Sequence, residues 1–185
     1  MMRLETEHLL LRVALVEDAA FFLELTNEPS WLRFIPDKGL RTVEAARAYI
    51  VQDMRPHQAR HGFSPYAVVP RAGTGGEAGG KAGDDAGERE PIGIFGLVKR
   101  DELEDPDLAF AFLSRHCHRG HGFEAATRVL EHAREDLGLA RVVAMTDWDN
   151  QPSRGLLEKL GFTFEGGRRV GDDPEELAFY GIALS

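Results

Sequence analysis

One cysteine, Cys117, stands among 185 residues. An internal disulfide is therefore excluded, and a lone thiol suits a reducing compartment. Long apolar runs are missing as well. The longest stretches, such as LLLRVAL (9–15), fall far short of the ~20 residues that a bilayer-spanning helix needs, so no membrane association is expected. The opening MMRLETEH is polar and acidic; no signal peptide is visible in it, and the expected location is cytoplasmic. Positive charge is scarce, with 22 Lys and Arg against 31 Asp and Glu and a formal net charge of −9. Such a surface repels phosphate backbones, which argues against general nucleic-acid binding, and it steers cationic small molecules and amines towards the chain.

What is present reads as one domain, residues 1–185, with enough apolar content (43%) for a core. The β-rich HLLLRVAL (8–15) predicts a first strand. VEDAAFFLELTNE (16–28) opens with acidic residues and carries apolar ones at helical spacing, with Asn27 near its stop. Thr42 suits the N-cap of a second helix, VEAARAYIVQDMR (43–55), ended by Pro56. SPYAVVP (64–70), PIGIFGLVKR (91–100), DLAFAFLSR (107–115) and RVVAMTD (141–147) read as strands. Gly93 and Gly96 hint at a bulge or a close backbone approach, and the apolar run of 107–115 suggests burial on both faces. FEAATRVLEHAREDLGL (123–139) has the clearest helical period, with Ala126, Val129, Leu130, Ala133 and Leu137 on one face and Gly138 after the last full turn. NQPSRGLLEKLGF is a short helix stopped at Gly161, and FTFEGGRRV and EELAFYGIAL close the chain as strands. Residues 71–90, RAGTGGEAGGKAGDDAGERE, have no bulky apolar side chain to offset their ordering entropy and read as a flexible insertion in a hairpin. The order β-α-α-β-β-β-α-β-α-β-β contains a right-handed parallel β-α-β unit at 107–147 and belongs to the α+β class, with about seven strands and about four helices.

The stretch HCHRGHG (116–122) admits three chemistries. As zinc ligands, His116 and His118 fall on opposite sides of an extended chain, and no second Cys/His pair lies elsewhere to close a four-ligand site. As a thiol nucleophile, Cys117 has imidazoles beside it that would lower its pKa, but no Asn or Asp orienter is assignable. As a backbone loop, Gly120 and Gly122 stand where a strand turns into a helix. The first N–H groups there lack helical partners and carry the positive end of the helix dipole, and glycine lets them approach an anion closely. The strand-to-helix context favours the backbone reading. No metal is then expected, and the histidines form a solvated loop that lends positive character near phosphates.

Together, HCHRGHGFEAA (116–126) and LGLARVVAMTDWDNQPSRGLLEKLGFTFEG (137–166) resemble the GCN5-related N-acetyltransferase (GNAT) superfamily. LETEHLLLRVALVEDAAFFLELTNEPSWLRFI and GIFGLVKRDELEDPDLAFAFL resemble its ribosomal-protein-alanine N-acetyltransferase-like branch. The resemblance spans nearly the whole chain except 71–90. It implies a mostly antiparallel, twisted sheet around a parallel β-α-β unit that binds acetyl-CoA. The family's pyrophosphate loop, Gln/Arg-x-x-Gly-x-Gly/Ala, falls on Cys117, His118, Arg119, Gly120, His121 and Gly122, with Cys117 replacing the leading Gln/Arg. Phe123 follows it. The family's helix-opening asparagine, against the pantetheine arm, falls on Asn150, followed by Ser153; both residues would also serve as helix caps. The tyrosine that protonates the departing thiolate in many members is replaced by Leu157, which leaves Ser153 as the remaining donor. The resemblance further implies a thioester carbonyl polarised by a backbone N–H at the end of strand 107–115, around Leu113, with Phe112 also among the cofactor-binding residues and Asp107 as a candidate base. The implied reaction is direct acetyl transfer to a primary amine, either a peptide N-terminus or a small molecule. A non-catalytic acyl-CoA-binding module is the alternative. A homodimer is compatible with these features.

Overall fold

The computed structural model describes residues 2–71, 89–171 and 175–184. The insertion expected at 71–90 lies outside them apart from Arg71, Arg89 and Glu90. One eight-stranded sheet organises the rest: β1 (Arg3–Glu5), β2 (Leu9–Arg12), β3 (Pro65–Pro70), β4 (Gly93–Val98), β5 (Asp107–Phe112), β6 (Arg141–Thr146), β7 (Thr163–Arg168) and β8 (Leu177–Ala183). Their spatial order is β1-β2-β3-β4-β5-β6-β8-β7. Every neighbouring pair is antiparallel except β5 and β6. The fold is therefore α+β, with one strand more than the sequence patterns indicate. That strand, β1, has three residues, too few for alternation to be read, and it is fixed by pairing Leu4 with Leu11 of β2.

The α-helices are α1 (Ala19–Asn27), α2 (Pro29–Phe34), α3 (Val43–Tyr49), α4 (Arg55–His61), α5 (His121–Glu135) and α6 (Gln151–Lys159). Asp18 sets the entry to α1: its carboxylate accepts both terminal nitrogens of buried Arg12, at 2.7 and 2.9 Å, and the Leu15 N–H at 2.8 Å. The predicted end at Pro56 is wrong. After α3 the chain widens into a π turn, Ile50–Met54, which runs on without a break into α4, so Pro56 lies inside a continuous helical stretch. The stop comes at Gly62, in the left-handed region at φ +81°. Thr42 caps α3 as expected, its hydroxyl accepting the Ala45 N–H at 3.1 Å.

Two apolar layers flank the sheet. On one face α5 packs Ala126, Val129 and Ala133 against Leu9, Leu11, Tyr66, Phe95 and Leu108, with Leu130 and Leu137 at the margin. Leu157 of α6 joins the same layer. On the other face Phe22, Leu25, Ala46 and Ile50 meet Ile94 and Leu113. Gly96 marks a close approach: a Cβ there would run into the Ser64 carbonyl.

Strand β5 departs from its predicted form. It ends at Phe112, and Ser114–His116 form a 3-10 turn. Only its first two residues are deeply buried; Ala109 to Phe112 are half-buried, so the apolar run does not report burial on both faces.

At the start of β5, Asp107 is 3% exposed and accepts the Arg100 Nε at 2.7 Å. Burial raises its pKa to about 6, against the opposing pull of Arg100 and of the Met145 N–H. A folded pKa above the unfolded one means stability that is complete below the unfolded value and lost as pH rises through the folded one. Wild type should therefore lose stability relative to Asp107→Asn between about pH 4 and 6, by on the order of 3 kcal/mol. Urea melts of both proteins across that range check this; a constant difference contradicts it.

Candidate active site

The gap between β5 and β6 is the central feature. Their register holds a single pair, Asp107 with Val143, and the Val143 N–H donates to the Pro106 carbonyl at 2.9 Å. On their outer edges both strands are fully engaged, β5 with β4 and β6 with β8, over six pairs each. The two strands thus meet at the first residue of β5 and the third of β6 and part towards their C-terminal ends.

Antiparallel pairing alternates which residues turn their backbone groups towards a neighbour. The Leu113 N–H donates to the Ile92 carbonyl at 3.0 Å, which places Ala109, Ala111 and Leu113 on the β4 side. Leu108, Phe110 and Phe112 consequently turn their N–H and C=O groups into the gap. This corrects the assignment of a free donor at Leu113: the last N–H facing the gap is that of Phe112.

At the open end the chain curls into the 116–122 loop. His116 and Cys117 donate their N–H groups to Leu113 and Ser114 carbonyls, at 2.8 and 3.2 Å, so the segment is a turn and not the extended chain assumed for zinc geometry. His118 lies in the left-handed region at φ +60°, a conformation that costs a residue with a Cβ on the order of 1 kcal/mol. Gly120 follows at φ +83° with open space where a Cβ would point, so its glycine answers a backbone demand. Gly122 differs: a Cβ there would meet Leu156 and Phe112 at 3.4 and 3.7 Å, ordinary van der Waals contact, so neither the backbone nor the packing of α5 against α6 and β5 requires its glycine. Helix α5 begins at His121, two residues earlier than its apolar period indicates.

Among the described residues, no acceptor takes the N–H of His118, Arg119, Gly120, His121 or Gly122. Five successive amides at the start of a 15-residue helix suit an anion. The side chains add less positive charge than expected. Burial first, then neighbouring Arg115 and Arg119, lowers the pKa of His116; burial likewise lowers that of His121, so both stay neutral at pH 7. Arg115 is forked onto Glu24, and exposed Arg119 is the remaining cation of the loop.

Across the gap, Asn150 caps α6, its side-chain oxygen accepting the Ser153 N–H at 3.3 Å. The Asn150 amide nitrogen and the Ser153 hydroxyl have no partner among the described residues, and both residues are half-buried. Leu157 is fully packed into the core. Phe112, Leu113, the 117–123 loop, Asn150 and Ser153 thus line one end of the gap or flank it. Asp107 does not join them. It sits at the closed end, five residues from Phe112, or about 17 Å along a strand.

Sequence patterns missed the α1–α2 corner. Ser114 donates to the Glu28 carboxylate through its N–H, at 2.9 Å, and its hydroxyl, at 2.7 Å, and the Ser30 hydroxyl lies 3.1 Å from that of Ser114. Arg33 of α2 reaches Asp149, beside Asn150, at 2.8 Å. The corner is tied to both sides of the open end. Its partners lie 84 to 116 residues away in sequence, where no local signal reaches.

A family model described as an acetyltransferase (GNAT) domain matches residues 8–163. The chain therefore belongs to the GNAT family of N-acetyltransferases. An uncharacterized N-acetyltransferase of Bacillus subtilis strain 168, YnaD, is 23% identical over 165 residues, 89% of this chain and 85% of the relative. Among solved structures, a GNAT-family acetyltransferase from Bacillus anthracis superposes with a TM-score of 0.75 at 20% identity, covering 99% of both chains. RimL, a ribosomal L7/L12 alpha-N-protein acetyltransferase solved with coenzyme A, gives 0.75 at 15% identity over 98% of both chains. Among the described residues, no group of three or more His, Cys, Asp or Glu is placed to hold a metal ion, and no helix is long and apolar enough to cross a membrane.

Cys117 carries a consequence of its surroundings. Burial, then the charge of Glu28, raises its pKa above the ordinary thiol value. Iodoacetamide should alkylate it at pH 7 more slowly than a cysteine in an unstructured peptide, with the pH profile of its rate displaced upward from that of the peptide. Faster alkylation than the peptide would restore the activated-thiol reading.

Proposed function

We propose that this protein transfers the acetyl group of acetyl-CoA directly to a primary amine, on a peptide N-terminus or a small molecule, in a ternary complex. The observation that carries this is the run of unpaired amides, His118 to Gly122, opening onto the gap between β5 and β6. The amides suit a pyrophosphate. The inward-facing edge of β5 suits an extended amide-bearing arm that completes the missing ladder. Acetyl-CoA supplies a thioester, and its thiol, with a pKa of about 8.5, leaves near neutral pH with little help from an acid.

The chain's own residues have distinct parts in this scheme. Phe112 directs its N–H at the carbonyl oxygen where negative charge gathers. Asn150 offers its amide nitrogen to the arm. Ser153 holds a hydroxyl within the same wall and stands as proton donor to the leaving sulfur in place of a tyrosine at 157. The buried Leu113 and Leu157 keep water from the two walls. Asp107, at the closed end and engaged by Arg100, has a structural part. The similarity of fold to RimL supports a protein N-terminus as one class of acceptor.

Gly120→Val tests the cradle. Valine resists φ near +83°, so the loop must change its path while the core is untouched. Calorimetry should show CoA binding weakened at least tenfold, with the far-ultraviolet spectrum unchanged. Equal affinity in the two proteins would contradict the assignment.

A further inference from the structure

We propose that Glu28 is the group that receives the acceptor amine; this rests on the acetyl-CoA reading above. Glu28 closes α1 and precedes α2. Its Oε2 accepts three hydrogen bonds: from the Ser114 N–H at 2.9 Å, the Ser114 hydroxyl at 2.7 Å and the Ser30 hydroxyl at 3.1 Å. Oε1 has no donor among the described residues. Nor does a cation neutralise the group. Arg115, within electrostatic reach, is committed to Glu24, and Arg33 to Asp149.

The result is a half-buried carboxylate pinned by one oxygen, with the other left over. Its location gives that oxygen a role. Ser114 lies two residues beyond Phe112, the last residue to turn an N–H into the gap, so Glu28 is fixed at the end where an acetyl carbonyl would lie. Its charge is felt by the Cys117 thiol, whose Sγ lies 3.7 Å from the Leu113 carbonyl at the same end. A partly desolvated carboxylate oxygen is best satisfied by a cationic N–H donor, because charge-assisted hydrogen bonds are about twice as strong as neutral ones. A primary ammonium supplies both charge and donors. An alcohol supplies a donor alone, and an anionic acceptor is repelled. Glu28 thus selects amines and holds them beside the carbonyl, in keeping with a surface that already steers cations inward.

Two CoA thioethers of equal chain length test this without knowledge of the natural acceptor. S-(3-aminopropyl)-CoA ends in an ammonium and S-butyl-CoA in a methyl group. Calorimetry on wild type should show the ammonium compound binding about tenfold more tightly than the butyl one. Glu28→Gln, whose amide oxygen can still accept the Ser114 bonds, should bind the two alike, and free CoA should bind both proteins equally. Should the glutamine variant melt early, Glu28→Asp provides the same reading, because it keeps the charge but withdraws it by one methylene and should narrow the preference. Absence of the preference in wild type, or its full retention in the variants, overturns the assignment. Failure of free CoA to bind wild type instead overturns the acetyl-CoA reading, and this proposal falls with it.

Discussion

Two parallel strands that share one rung of pairing impose the main constraint on this molecule. A parallel ladder normally continues until its strands end, because each buried backbone polar group left unpaired costs free energy. Here β5 and β6 stop pairing after Asp107 and Val143, so the inner edge of β5 is unsatisfied by its neighbour. Such an edge persists because the outer edges are fully paired and because apolar layers hold both strands from above and below. The gap is therefore part of the fold's framework, and the loop, the corner and the caps are arranged around it.

Each wall of the gap draws its position from a different local device. The 116–122 loop is curled by two left-handed residues, one of them a histidine that tolerates the conformation at a cost. The α6 wall is set by the Asn150 cap. The α1–α2 corner spans the mouth through Glu28 to Ser114 and Arg33 to Asp149. The Arg33 pair is exposed on both sides and contributes little stability on its own, so the Glu28 bonds are the firmer tie.

Much of this was legible from sequence because it is local. The period of α5, the Thr42 cap, the parallel unit at its centre and the strand-to-helix glycines are all written within a few residues of where they act. The details that failed are those decided by distant contacts. Pro56 reads as a helix end, yet a preceding π turn lets the helix continue. Leu113 reads as the oxyanion donor, yet its N–H is taken by the Ile92 carbonyl, and it is Phe112 that turns its N–H into the gap. Asp107 reads as a base near the site, yet strand direction carries it to the far end. Glu28 carries no local signature, since its partner is 86 residues away.

The most direct test is a crystal structure of the protein with CoA. The account places the pyrophosphate within hydrogen-bond distance of the His118–Gly122 amides, with the pantetheine arm running between β5 and β6 and pairing with the backbone of Phe110 and Phe112. CoA bound elsewhere, or a bound complex in which β5 and β6 zip together and leave the arm outside, would contradict it.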